Sequence, residues 1–160
     1  MLYEAKIRLN KAFLGSQCTR DKIRRFHKTK SGEIIIDTDR WSWALREAAI
    51  SLRLDKTVDL DCIRFEEGFR SPTLSLYVRK WHERGKQREE MFESIRENTI
   101  LTFDILITSV YTEQGLNAKQ PPDAEQFTAL MNFVGKMIGL SPWGSKFGFG
   151  RFQVESLKEK

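Results

Sequence analysis

Residues 137–157 read MIGLSPWGSKFGFGRFQVESL, and the assignment of the whole chain hangs on them. Gly139, Gly144, Gly148 and Gly150 fall within twelve positions, interleaved with Lys146 and Arg151 and with Trp143, Phe147, Phe149 and Phe152. A glycine just after an apolar-periodic run is a helix stop. A glycine-dense stretch is a loop. The closing GRFQVESL places Phe152, Val154 and Leu157 as the apolar positions of a final strand. The C-terminal third therefore reads helix, basic aromatic loop, strand.

Working back from the loop, PDAEQFTALMNFVGKMIG (residues 122–139) carries Phe127, Leu130, Met131, Val134 and Ile138 at helical spacing. Asp123 is a plausible N-cap. Before it, TILTFDILIT (99–108) puts Leu101, Phe103, Ile105 and Ile107 on one face, with Ile100 and Leu106 adding apolar weight to the other. Such a strand is expected at the centre of its sheet. At the N-terminus, Tyr3, Ala5, Ile7 and Leu9 alternate with Glu4, Lys6, Arg8 and Asn10, the pattern of a half-buried strand. Residues 15–32 are polar and basic between Gly15 and Gly32 and read as a long loop. EIIID (33–37) reads as a brief strand or as an approach segment to the next element.

A first helix follows, with Thr38 or Asp39 as cap and Trp41, Leu45, Ala48, Ala49 and Leu52 as its buried stripe. Trp41 and Trp43 lie two apart and cannot share a helical face. Both are expected as partly buried core residues, or one in the core and the other exposed near Arg40 or Arg46. The alternation of Val58, Leu60, Cys62 (or Ile63) and Phe65 predicts a strand over about 59–66. TLSLYVRKW has strand chemistry, and Gly85 among basic residues suggests a hairpin tip. The segment REEMFESIREN reads either as a helical turn or as the hairpin's second strand.

The order is strand, helix, strand, variable hairpin, strand, helix, strand. That is an α+β, ferredoxin-like βαββαβ arrangement: an antiparallel sheet with two helices on one face, decorated by a hairpin insertion. At 160 residues the chain suits a single domain, 1–160. With 40% hydrophobic and 31% charged residues the composition is that of a globular chain, not a disordered one. No apolar run reaches membrane-span length, and no signal peptide is evident, so a cytoplasmic protein is expected. Cys18 and Cys62 form no metal-spaced pair.

Net charge is +5, from 27 basic and 22 acidic residues. Residues 1–30 hold nine basic and two acidic side chains, among them Arg24, Arg25 and Lys28. RKWHERGKQR (79–88) adds Arg79, Lys80, Arg84, Lys86 and Arg88 against Glu83. Two basic clusters plus a basic glycine loop point toward a polyanion, nucleic acid in particular. Glycine lets backbone N–H groups approach a phosphate closely. Lys146 and Arg151 supply charge, and Trp143 or Phe147 can stack on an unpaired base.

The succession of helix, basic glycine loop and GFGRFQV strand resembles the RAMP superfamily (repeat-associated mystery proteins), the RNA-binding subunits of CRISPR effector complexes. The match covers Gly144, Lys146, Gly148, Gly150 and Arg151, with Pro142 and Trp143 standing where a denser glycine run is usual. The resemblance implies a ferredoxin-like fold and a loop that approaches the RNA backbone. It also implies partners: single-stranded RNA (or ssDNA), other copies of the chain arranged head to tail, or effector subunits. A phage or mobile-element protein that occupies or mimics such a complex is the rival reading.

Catalysis is not favoured. There are two histidines, His27 and His82, both in basic runs. His27 is the candidate general acid or base if the chain is a small metal-independent RNA endonuclease. No metal-ligand spacing, P-loop or dinucleotide fingerprint is present, because GFGRF precedes a strand and not a helix. The pairs Asp37/Asp39 and Asp59/Asp61 read as caps and turns, and no cofactor or metal is expected.

Overall fold

The computed structural model describes residues 1–66, 68–69, 73–108, 119–141 and 144–160. Elements in chain order are β1 (Leu2–Leu9), β2 (Phe13–Leu14), β3 (Ile23–Arg24), β4 (His27–Lys28), β5 (Ile34–Ile35), α1 (Thr38–Ser51), β6 (Ile63–Phe65), β7 (Ser75–Glu83), β8 (Lys86–Ile95), β9 (Ile100–Ile107), α2 (Ala124–Phe133) and β10 (Phe152–Glu159). A five-residue π-helical segment, Val134–Ile138, continues α2, and a short helical turn, Gly144–Phe147, lies inside the glycine segment. The architecture is α+β.

One antiparallel sheet runs β10-β1-β9-β6, so β9 is internal, as its two-sided apolar pattern demands. Tyr3 pairs with Ile105, Ala5 with Phe103 and Ile7 with Leu101, which puts the alternating apolar residues of both strands on one face. Both helices pack there. Trp41 of α1 stacks on Phe65 at 3.9 Å and tilts against Phe103 at 5.8 Å. Phe127 of α2 meets Tyr3 at 5.4 Å. Each buried large side chain stabilises the fold by about 1.5–3 kcal/mol relative to leaving it in water.

β10 bends in the middle. Lys6 pairs with Ser156 but Ile7 pairs with Val154, so Glu155 is an extra residue, a β-bulge. The bulge explains why Phe152, Val154 and then Leu157 face inward across a broken period of two.

Helix α1 is capped by Asp37, one residue earlier than expected, its carboxylate accepting from Asp39 N–H at 3.1 Å. Its buried stripe includes Ala44, whereas Leu52 lies at the partly exposed C-cap. In α2 Asp123 and Gln126 form a reciprocal capping box, which satisfies two otherwise unpaired donors. Strand β6 is shorter than the expected 59–66. Apart from an isolated parallel bridge of Val58 to Gln120, residues 54–62 are turns and bends, held by bonds such as Val58 N–H to Leu54 O and Asp61 N–H to the Asp59 carboxylate. Their apolar side chains mimic strand alternation while packing from turns.

The hairpin is real, and REEMFESI is its second strand. β7 and β8 pair from Ser75↔Ser94 to Glu83↔Lys86. Arg84 (φ 50°) and Gly85 (φ 75°) make the two-residue turn. Positive φ at both positions matches the twist of the strands, and glycine adopts it without steric cost. The opposite edge of β8 takes β2 antiparallel and β3 parallel. Residues 15–32 are therefore not one long loop: they brace the hairpin and then pair β4 with β5.

Candidate nucleic-acid interface

The glycine segment is tied to the rest of the protein at both ends. Leu140 N–H donates to Gly150 O at 3.0 Å, Gly150 N–H to Ala12 O at 2.9 Å and Asn10 N–H to Arg151 O at 2.8 Å. Ser141, fully buried, accepts from Leu14 N–H through Oγ at 2.9 Å. Gly150 adopts φ 73°, and a Cβ there would sit 2.6 Å from Ser141 N. The expectation that Gly150 offers its amide to a phosphate gives way here: that amide is spent on Ala12, and the residue is buried. Gly148 differs, since an added Cβ would meet nothing nearer than Lys11 Cδ at 3.7 Å and Arg151 Cδ at 3.8 Å. Its backbone lies between two basic side chains.

Phe147, 39% exposed, sits at the centre of this group. The Arg79 guanidinium lies 4.6 Å from its ring centroid and Lys146 Nζ 5.2 Å. Lys11 Nζ donates to Phe147 O at 2.7 Å and lies 4.0 Å from the Phe149 ring. Arg79 also lies 5.0 Å from Trp81, and Tyr77 meets Phe149 edge-on at 5.4 Å. Strand alternation causes this: Tyr77, Arg79 and Trp81 share the β7 face that looks at the glycine segment. Among the described residues, no carboxylate lies within ion-pair distance of Lys11 or Lys146. Cations over an exposed ring, beside open glycine backbone, suit a phosphate chain and an unstacked base.

The other predicted cations divide. Lys80, Arg84 and Lys86 are exposed at the hairpin tip. Arg24, Arg25 and Lys28 are engaged with carboxylates. Arg24 pairs with Glu90. Arg25 Nη2 reaches Asp21 at 2.5 Å and Nη1 reaches Glu93 at 3.2 Å, while Lys28 Nζ lies 2.8 Å from Glu93. Glu93 is buried and also accepts from Phe26 N–H at 3.1 Å. Burial pushes its carboxyl up, but Lys28, the Phe26 amide and Arg25 together outweigh that and hold it below the ordinary value. This triad of donors explains why the 15–32 segment is ordered against β8. Trp143 lies outside the described residues, and Gly144 begins the short helical turn.

Sequence reasoning missed Lys11 and Arg79 as partners of Phe147. The period of two in Tyr77–Arg79–Trp81 was the available signal. It named Arg40 beside an exposed tryptophan but missed its hold on the glycine segment. This half-buried guanidinium donates through Nη2 to Gly139 O at 2.9 Å and Ser141 O at 2.7 Å, clasping the entry to the glycine segment. Burial lowers its pKa. Its centre lies 4.8 Å from the Trp43 ring, which is 40% exposed, while Trp41 is the core residue of the pair.

Among the described residues, the outer face of the main sheet carries no aromatic ring of the sheet's own strands. The sheet's rings, Tyr3, Phe65, Phe103 and Phe152, all lie on the helix side, and the open side carries ion pairs such as Arg8–Glu155 at 2.6 Å and Lys160–Asp104 at 2.8 Å. His27 is exposed on β4, and His82 is exposed on β7. Among the described residues no three His, Cys, Asp or Glu side chains cluster as a metal site. Among them, too, no helix is long and apolar enough to cross a membrane.

No protein-family model matches the sequence, and no curated protein matches it. Among solved structures, the chain is similar to one in the cryo-EM structure of the Type III-B Cmr-beta bound to cognate target RNA. The TM-score is 0.65 and the sequence identity 13%, covering 98% of this chain and 59% of that one. The likeness is one of fold, and this chain spans about three fifths of the neighbour's length.

Proposed function

We propose that this chain, alike in fold to a component of an RNA-bound CRISPR effector, is a non-catalytic single-stranded-RNA-binding protein of the RAMP type. The sheet order β10-β1-β9-β6 with both helices on one face supports a ferredoxin-like fold. The observation that carries the reading is the group of Lys11, Arg79, Lys146 and Arg151 around exposed Phe147 and open Gly148. Gly144 and Gly148 let the strand lie close, Phe147 takes a base, and Arg84 and Lys86 extend the positive track toward the hairpin tip, whereas Lys80 shares the opposite face of β7 with Leu76 and Val78 and lies off that track. Arg24, Arg25 and Lys28 contribute less, because Glu90, Asp21 and Glu93 already offset their charge.

The test is fluorescence anisotropy of a labelled single-stranded RNA titrated at several salt concentrations. Four phosphate contacts predict a log–log salt slope of about −3, from roughly 0.7 counterions released per phosphate on a single strand. Binding that is absent at low salt, or that ignores salt, overturns the reading. Single-stranded DNA as competitor separates RNA from general strand binding.

A protein partner is favoured by a separate observation. Leu76 (57% exposed) and Val78 (41% exposed) stand on the outer face of β7, away from the glycine segment. Such apolar exposure beside Lys80 suits docking to a neighbouring effector subunit or another copy of the chain. Light scattering with RNAs of increasing length reads this directly: mass growing with RNA length supports self-assembly along the strand, and a constant one-to-one complex counts against it.

A further inference from the structure

We infer that the cavity beside the entry to the glycine segment is a pocket for one unpaired nucleobase, an inference that rests on the RNA-binding reading above. The cavity has a volume of about 670 Å³ and opens between β2, the β4–β5 pair, the N-terminus of α1 and Leu140. That volume lies within the usual range for a small-ligand pocket.

Its chemistry selects the ligand class. Apolar surface predominates, with Leu14, Ile35 and Leu140 among the walls, and the polar groups come from Ser16, Gln17, His27, Asp37, Thr38 and Arg40. A phosphate placed here would gain Arg40 but face the Asp37 carboxylate. A sugar would waste the apolar walls. A nucleobase has flat apolar faces and a neutral edge of alternating donors and acceptors, and it matches both halves of the lining. Asp37 uses one carboxylate oxygen to cap α1, and its other oxygen can accept from a base N–H. Arg40 commits Nη2 to the carbonyls of residues 139 and 141, which fixes its side chain in the cavity wall.

One buried side chain, Leu14, separates the pocket from the interface. Leu14 lines the pocket and also packs in the small cluster with Phe92 and Phe149. Arg40 ties its wall to the carbonyls where the glycine segment begins. A strand lying over Gly148 can thus drop one base beside Leu140.

The experiment uses the full chain and a twelve-nucleotide RNA carrying a single 2-aminopurine, moved stepwise along the strand. Affinity is read by anisotropy and base environment by 2-aminopurine fluorescence. Ser16 lines the cavity and is exposed, so Ser16→Trp fills the pocket without disturbing the core. The expected result is a fluorescence change at one position for the wild type and its loss in Ser16→Trp. Affinity should fall roughly tenfold, the worth of one sequestered base, with the salt slope unchanged. Gln17→Ala, which leaves the walls intact, is expected to change the preference among the four bases at that position only. Wild-type affinity and fluorescence in Ser16→Trp, with its thermal unfolding unaltered, would overturn the pocket while leaving RNA binding standing. Failure of the wild type to bind RNA at all would overturn the underlying reading, and the pocket with it.

Discussion

Replacing Glu93 by Gln should destabilise the protein more than any other single change of charge. The side chain is 7% exposed and accepts from three donors: Phe26 N–H at 3.1 Å, Arg25 Nη1 at 3.2 Å and Lys28 Nζ at 2.8 Å. Glutamine keeps the shape and one acceptor, but removes the charge and turns an NH₂ toward two cations. Breaking a buried ion pair costs about 3–5 kcal/mol when the survivor stays buried. Here the two cations keep about a third of their side chains in water (37% and 33%), so they rehydrate and the loss falls to about 2 kcal/mol. With a urea dependence of about 2 kcal/mol per molar, the unfolding midpoint drops by about 1 M.

The pH dependence has a definite sign. The Glu93 carboxyl is held below its ordinary 4.5, so its stabilisation is complete above that value and is lost as pH falls through the lowered one. The gap between wild type and Glu93→Gln should therefore be widest near neutrality and close in acid. Urea titrations across that range decide the matter. A midpoint within about 0.2 M of wild type at neutral pH, or a gap that does not narrow in acid, would refute the reasoning.

Two glycines with similar φ, 75° at Gly85 and 73° at Gly150, should respond differently. Gly85→Ala at the open hairpin tip carries only the backbone penalty, about 1 kcal/mol, whereas Gly150→Ala adds a collision with Ser141 and should cost several times more by urea denaturation. Lys146→Gln should leave stability unchanged and reduce the salt slope of RNA binding by about 0.7; an unchanged slope removes Lys146 from the interface. Phe147→Ala should weaken RNA binding by about 1–3 kcal/mol with no matching loss of melting temperature, given its exposed ring. Equal affinity in anisotropy would show that no base stacks there.

What the sequence revealed follows from where local chemistry is decisive. Strand β9 was legible because both its faces are apolar, α2 because Asp123 precedes a clean stripe, and the hairpin tip because Gly85 punctuates it. Strand β6 was overread because residues 58–62 pack apolar side chains from turns, and one-dimensional alternation does not separate the two cases. The strands within 13–28 were invisible for a different reason. Each pairs only two residues, and what fixes them is Glu93, more than sixty positions away. The interface was half legible: glycines and cations announce themselves, but the meeting of Lys11, Arg79 and Phe147 is made by tertiary packing. Arg40 was legible as a neighbour of Trp43 but not as the clasp of the glycine segment, since those acceptors are backbone carbonyls a hundred residues downstream.

The bulge in β10 also marks where that strand tolerates a change of length. Glu155 is the supernumerary residue, so removing it would bring Phe152, Val154 and Leu157 into unbroken alternation, every inward side chain keeping its orientation, at the expense of the contact with Arg8. Removing Gln153 instead would turn Phe152 or Val154 out toward water. A single-residue indel is thus absorbed at position 155, and relatives of this chain should differ in length there before they differ elsewhere along the strand.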